Sequence, residues 1–398
     1  MATLQVPGSY ATITLALAAA ANDDTINIAA GTYSEEVTCG SLTGITIKGA
    51  TGRPEDVVIT SNGASTPTMK LHTDCSIQDL TIKYLPGPLP GVNYATIHGA
   101  VGSANGSNTT FHATNCYIYS TRKAVHNVIT SCVFNRVRFI WAGTSADCPT
   151  TGSVGYPLNT YVYPYAYNAA TGPTCISCLF QDWARSITYR GGGPYINCTI
   201  VRTRTGEGTS TYDLYANNGN ITNVIAFANS SSIEAGYDGG SASRCGVNNA
   251  TTGHVGLAND DNAAYNCISH GHTGWTQGDF ASATWGPLTI NVDPYGTSDV
   301  VAAGGPAALY VAHNTKDDGG LWNVRIRSGS LAYRSGNNAE VLKPTYDLDG
   351  KPFHPTNPSR GCYEYCFSNT AMGVSVRRTS GSLGVNSTLI GSMLGVTT

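Results

Sequence analysis

The chain has 398 residues and a formal net charge of −3, and only 12% of its residues are charged, about half the share usual in soluble domains. No basic run or face is legible, so nucleic acid is not an expected partner. No stretch reaches the ~18 apolar residues that would span a bilayer, so membrane insertion is not expected either. Gly, Ser, Thr, Asn and Tyr occupy the space that Lys and Glu usually take, which suits many short strands joined by tight turns and argues against a long helical bundle.

Residues 1–24 read as an N-terminal cap. Ser9 is placed to cap a short helix from Tyr10 to about Ala21, with Ala, Leu and Ile on one face. The apolar stretch lacks a basic leader, and Pro7, Gly8 and Ser9 precede it, so it is expected to belong to the fold rather than to a cleaved signal. Thr25-Ile26-Asn27-Ile28 alternates as a strand, and Ala29 to Tyr33 follows as a turn. A helix over the first coil would hide an open strand edge.

From residue 115 onward one phrase recurs: Asn or Ser, then Cys, then alternating apolar residues. It reads Asn115-Cys116-Tyr117-Ile118, Ser131-Cys132-Val133-Phe134, Ser177-Cys178-Leu179-Phe180, Asn197-Cys198-Thr199-Ile200 and Asn266-Cys267-Ile268, with a cysteine-free version at Thr222-Asn223-Val224-Ile225. Two of the intervals, Cys116 to Cys132 and Cys178 to Cys198, are short, and two, Cys132 to Cys178 and Cys198 to Cys267, are long. Dividing the long intervals into two and three coils gives roughly 20–23 residues per coil, the repeat of a solenoid of stacked coils. The predicted fold is therefore all-β, a single right-handed parallel β-helix. It spans 25–290, with closing coils over 291–366. Cys116, Cys132, Cys178, Cys198 and Cys267 are expected to form one inward column. A TIM barrel would need amphipathic helices between the strands, and only Gly-, Asn- and Thr-rich turns are present. The twelve cysteines can be read as a disulfide framework or as small buried hydrophobes inside strands.

The opening, with Tyr10-Ala11-Thr12-Ile13, Ala16 to Ala21, Thr25-Ile26-Asn27-Ile28, Gly31-Thr32-Tyr33 and Ile45 to Ala50, resembles that of pectin-lyase-like proteins. The far end, Ser328 to Ala332, Asp347-Leu348-Asp349-Gly350-Lys351-Pro352 and Gly361-Cys362-Tyr363-Glu364-Tyr365, resembles the closing segment of bacterial β-helix repeat proteins. Together the two likenesses cover about residues 8–365 and speak for fold, since this fold hosts many functions. Residues 367–398 fall outside the pattern. Val374, Val376, Leu389, Ile390 and Leu394 make this segment either a docking and oligomerisation tail or a plain capping strand.

The resemblance prompts a search for enzymatic groups on the outer face of a sheet or in a groove beside it. Gln181-Asp182-Trp183-Ala184-Arg185 is similar to the Gln-Asp pair of pectin methylesterases, but the second aspartate motif and the downstream Arg-Pro-Trp pattern are missing. Asp182, Asp213 and Glu234 are the catalytic candidates, one or two coils apart, as two carboxylates at a set separation serve sugar hydrolysis; the alternative for Asp182 is a turn-capping role. Asp238 and the pair Asp260 and Asp261 read as loop residues.

No metal or cofactor is expected. Cys175-X-X-Cys178 has zinc-like spacing without a second pair nearby, and on an unbroken strand its two sulfurs would not converge. His270 and His272 lie in a Gly-rich loop. Tyr161, Tyr163, Tyr165 and Tyr167 alternate with Val162, Pro164 and Ala166. Such an aromatic stripe stacks on sugars, buries against another subunit or packs on its own coil.

Three functions follow as expectations. The first is a structural or adhesive phage virion protein, a tailspike, fibre or capsid-surface decoration, made in the host cytoplasm and binding surface polysaccharide. Its resemblance to phage proteins of this fold implies a homo-oligomer, a trimer above all, or attachment to other virion proteins. The second is a polysaccharide lyase, hydrolase or esterase. The third is a bacterial surface β-helix binding protein, extracellular or on the cell surface.

Overall fold

The computed structural model describes residues 1–61, 66–85, 99–103, 109–121, 123–126, 129–142, 174–181, 195–202, 221–228, 264–265, 268–270, 290–291, 334, 336, 345–359 and 361–364. Nearly all of the described regular structure is parallel β, with one α-helix and one short 3-10 turn. The strands stack in three ladders. The first begins with Thr3–Val6, Thr25–Ile28, Thr46–Gly49 and Cys75–Gln78 and runs on to Ala264–Tyr265. The second begins with Gly31–Ser34, Val57–Ser61 and Thr81–Tyr84 and ends at Ile290–Asn291. The long strands Thr109–Ser120 and Ile129–Trp141 pass through both ladders. The third ladder holds Val37–Thr38, Met69–Leu71, Gly99–Ser103 and Lys123–His126.

Alternation explains the strands. In Thr25–Ile28 the two Ile side chains are buried and Thr25 and Asn27 are half-buried, as a strand with one face on the core requires. Phe111, Phe134, Phe139 and Phe180 continue the interior. Phe139 and Phe180 occupy the same position of successive coils and stack with centroids 5.0 Å apart, and Phe134 meets Phe139 edge-on at 4.9 Å.

Register corrects the count of coils. Val6 pairs with Ile28, Ile28 with Gly49, Cys116 with Val137 and Ile176 with Ile196, and each of these steps has the length expected of one coil. Asn135, however, pairs directly with Ile176, and Thr222 with Tyr265, steps about twice as long. The long cysteine intervals thus hold insertions within coils, and fewer coils than an even division suggests.

The corner between the first and second ladders repeats one conformation. Asp79, Asn115, Arg136, Ser177, Asn197 and Asn223 all have φ between 51° and 56°, the left-handed region that Asn and Asp tolerate best. Each is followed by a buried residue, in order Leu80, Cys116, Val137, Cys178, Cys198 and Val224. The expected column therefore exists, but with Val137 and Val224 standing among its cysteines. Cys132 is not in it: it pairs with Phe111, on the same strand as Val137 but before the corner. Its Ser-Cys phrase copies the composition of the corner without its backbone, and the true equivalent of Asn115-Cys116 is Arg136-Val137. Cys267 lies outside the described residues.

Close stacking at this corner excludes side chains one level down. Gly49 adjoins Asp79, and a Cβ there would run into the Asp79 carbonyl oxygen.

The N-terminal end differs from expectation in three ways, one being that Gly31–Ser34, read as part of a turn, is a strand. Thr3–Val6 is itself the first rung, paired with Thr25–Ile28. The helix is shorter than expected, Ile13–Ala19, with Thr12 rather than Ser9 at its N-cap. The backbone N–H groups of Ser9 and Tyr10 both donate to the Gln5 carbonyl, at 2.9 and 3.1 Å, so the chain is still turning at those positions. Thr12 Oγ1 accepts from Leu15 N at 3.1 Å, and Glu35 accepts from the Ile13 and Thr14 amides at 3.0 and 2.9 Å. Asp24 then takes the Ala21 amide at 2.9 Å and turns the chain into the next strand.

The chain divides into two compact units, Met1–Cys366 and Phe367–Thr398. The second, with Val374, Val376, Leu389, Ile390 and Leu394, lies outside the described residues. No helix among the described residues is long and apolar enough to cross a membrane.

Candidate functional site

Residues 345–364 lie as a strap along the left-handed corner and the outer face of the second ladder. Asn197 Nδ2 donates to the carbonyls of Ser359 and Gly361, at 2.7 and 3.3 Å, and Asn223 Nδ2 donates to Asn197 Oδ1 at 3.1 Å. Ser177 Oγ donates to the Tyr346 carbonyl at 3.0 Å, and the Cys362 amide to Thr199 Oγ1 at 2.9 Å. The strap's own Leu348, Phe353, Cys362 and Tyr363 are buried. The corner column that shapes each coil is thus also the seat of a segment from far later in the sequence.

A largely buried ion pair lies under this strap. Arg138 points outward from its strand, yet its side chain is only 6% exposed. Arg138 Nη2 donates to Asp349 Oδ1 at 3.2 Å, and its guanidinium lies 4.8 Å from the Tyr117 ring centroid and 5.9 Å from that of Tyr363. Two coils back, Lys83 Nζ sits 5.2 Å over the Tyr119 ring of the coil between. Cations over aromatic faces gain electrostatic attraction that grows as water is excluded.

The strap carries its own bracing. Asp347 Oδ1 accepts the amides of Asp349 and Lys351 at 3.0 and 2.7 Å, and its Oδ2 accepts that of Glu364 at 3.1 Å. Glu364 Oε2 accepts the Ser359 amide at 2.8 Å. Burial pushes both carboxyls above their ordinary range, against the opposing pull of these amides. These groups are bound into a turn, and the arrangement holds the strap in place. No group of three or more potential metal ligands occurs among the described residues.

Arg138 and Asp349 were not singled out from sequence, though one signal was present: an arginine shortly past a corner position, inside an otherwise apolar strand. Asp182, Asp213, Glu234, Tyr161, Tyr163, Tyr165 and Tyr167 lie outside the described residues, as do Asp238, Asp260, Asp261 and His272. Their sequence positions are informative. All but His272 fall after a second-ladder strand and before the next first-ladder strand: 143–173 follows Ile129–Trp141, 182–194 follows Leu179–Gln181, 203–220 follows Thr199–Arg202 and 229–263 follows Ile225–Ala228. Gln181, the neighbour of Asp182, is buried on the column of Ile140 and Val201.

Cys175 and Cys178 do converge. Ser177, in the left-handed conformation, breaks the alternation between them, so both side chains turn inward and are buried. The corner cysteines share one role. Cys116 Sγ donates to the Thr114 and Ile77 carbonyls, at 3.2 and 3.6 Å, Cys178 Sγ to those of Ile176 and Phe134, both at 3.4 Å, and Cys198 Sγ to those of Ile196 and Cys175, both at 3.5 Å. In each case one acceptor is just upstream on the same coil and the other lies on the preceding coil. Burial pushes the Cys116 thiol up to about 12, so it stays protonated and inert.

Ladders, corners and strap define the chain as a right-handed parallel β-helix of the pectin-lyase-like fold. Among solved structures, a pectate lyase, Pel9A, aligns over 92% of this chain and 97% of its own, with 13% identity and a TM-score of 0.51. Pectin methylesterase PemA from Erwinia chrysanthemi aligns over 68% of this chain and 79% of its own, with 14% identity and a TM-score of 0.36. A rice weevil pectin methylesterase aligns over 67% and 76%, with 12% identity and a TM-score of 0.38. No protein-family model and no curated protein matches the sequence. At such identities the likeness to the pectate lyase speaks for fold alone.

Proposed function

We propose that the chain is a structural or adhesive β-helix protein of a phage particle, a tailspike, fibre or capsid-surface decoration, that engages surface glycans through its insertions. One observation carries this reading. From Trp141 onward, the stretches between a second-ladder strand and the next first-ladder strand differ widely in length, 143–173 and 229–263 being the long ones, while the rungs on either side stay in register. A stacked scaffold that varies along one edge is suited to meeting a long repeating polymer, and Tyr161, Tyr163, Tyr165 and Tyr167 belong to the first of these insertions. Aromatic rings supply stacking faces for sugars at little entropic cost. In this reading the tail with Val374, Val376, Leu389, Ile390 and Leu394 joins copies into an oligomer, a trimer above all, or docks to other virion proteins. The protein is made in the host cytoplasm and carried on the virion.

Binding to a panel of bacterial surface polysaccharides tests the proposal. The native chain binds at least one, and a variant with all four tyrosines changed to Ser loses at least tenfold in affinity while keeping its β-sheet spectrum. Equal binding by the variant overturns the tyrosine assignment, and no binding across a broad panel overturns the adhesive role. Truncation after Tyr365 is expected to convert the oligomer to monomer.

A second reading, a polysaccharide lyase, hydrolase or esterase, draws on the placement of Asp182, Asp213 and Glu234 in three consecutive stretches of that same junction. Release of unsaturated products, reducing ends or methanol, abolished by Asp182→Ala or Asp213→Ala, would establish it. A cell-surface binding protein of a bacterium is the third, distinguished from the first by where the native protein is found.

A further inference from the structure

The strap and the coils are held by different means. Ladders of paired strands join the coils. Among the described residues the strap shares no ladder with them, and its β-bridge, Tyr346 with Pro352, is internal. It is anchored instead at single points on four successive coils. Arg138 takes Asp349, Ser177 takes the Tyr346 carbonyl, and Asn197 and Thr199 take Ser359, Gly361 and Cys362. On the fourth coil the Asn223 carbonyl accepts the Gly361 amide at 2.7 Å. The side-chain anchors join residues 162 to 211 positions apart. Within the strap its two limbs are tied to each other: the Leu348 amide donates to the Cys362 carbonyl at 2.8 Å, and the Glu364 amide to Asp347 Oδ2 at 3.1 Å.

We propose that residues 345–364 are a latch, which closes on the coils as the last step of folding, opens as one unit before the coils come apart, and thereby sets how slowly the native protein unfolds. The order of closing follows from the seat. Its anchors come from four coils, so the seat is complete only once those coils have stacked. The ladders through Thr174–Ile176, Leu179–Gln181, Thr199–Arg202 and Ile225–Ala228 take no strand from the strap, so stacking does not wait for it. Contacts this distant in sequence also carry the larger loop-closure entropy, which is recovered late. The ties between the two limbs make opening cooperative, since freeing one limb costs the bonds of the other. Burial of Leu348, Phe353, Cys362 and Tyr363 keeps the latch shut. Contacts absent from the folding transition state slow unfolding without hastening folding, so the latch acts on the lifetime of the native state.

Hydrogen exchange of the full-length native chain, read by peptide mass spectrometry, tests the latch. Peptides within 345–364 are expected to exchange together, and faster than those covering Thr46–Gly49 and Cys75–Gln78. In Ile47→Val, which weakens an N-terminal coil, the coil peptides speed up and the strap peptides do not. In Asn197→Gly all strap peptides speed up by a common factor of about ten, and the unfolding rate in urea rises by a like factor while the refolding rate changes less than about twofold. If Asn197→Gly does not fold, Asp349→Asn takes its place, and the wild-type exchange pattern decides by itself. Strap peptides that exchange no faster than the coils, limbs that exchange separately, or an unfolding rate that neither variant changes overturns the proposal.

Discussion

Arg138 and Asp349 stand far apart in the chain, yet their side chains meet at 3.2 Å under a segment that crosses the coils. That ion pair joins the outer face of one coil to the strap.

Removing Asp349 leaves the buried guanidinium without its carboxylate. Loss of one partner of a buried pair costs about 3–5 kcal/mol. Asp349 is 18% exposed and Arg138 keeps its two aromatic neighbours, so Asp349→Asn is expected to cost roughly 2–3 kcal/mol. Urea unfolding measures it, and limited proteolysis should cut within 345–364 faster than in the wild type.

Asn197 separates backbone from side-chain effects. Asn197→Gly keeps the left-handed backbone and loses the two bonds to the strap, about 1–3 kcal/mol for buried groups left unsatisfied. Asn197→Ala loses the same bonds and adds roughly 1–2 kcal/mol for a Cβ in that conformation. A chemical denaturation series that ranks Ala as no worse than Gly would contradict the corner geometry.

Titration should affect the strap and the N-terminal coil with opposite signs. Asp347 and Glu364 hold their protons more tightly folded than unfolded. Their contribution is full below the unfolded carboxylate range and is lost as the pH rises through the folded values. Asp24 is held below its ordinary value by the amides of Ala2 and Ala21, so its contribution is present at neutral pH and lost as the pH falls. The double variant Asp347→Asn with Glu364→Gln should flatten the fall in urea midpoint on the neutral side, and Asp24→Asn the fall on the acid side.

Valine already occupies the corner column at positions 137 and 224, so Cys116→Val should be tolerated, costing less than about 1.5 kcal/mol by thermal melting. Cys116→Asp places a charge among Leu80, Val137 and the aromatic core, and soluble folded protein is not expected.

The solenoid itself was legible in the sequence because its local rules repeat: alternation in Thr25–Ile28, and a polar residue before a small apolar one at each corner. Short-range sterics and burial act between near neighbours, so they leave a periodic trace. The sequence alone did not reveal register. Ser131-Cys132 and Arg136-Val137 lie close together on one strand, and only pairing with Phe111 and Cys116 shows which one turns the corner. Nor could local pattern show that the chain from Asn135 to Ile176 makes a single coil, since a loop leaves neighbouring rungs paired whatever its length. The Arg138–Asp349 pair and the seating of Ser359 and Gly361 on Asn197 lay beyond sequence for the same reason. They join segments whose proximity depends on how many coils lie between them, a sum over the whole fold that only the tertiary structure decides.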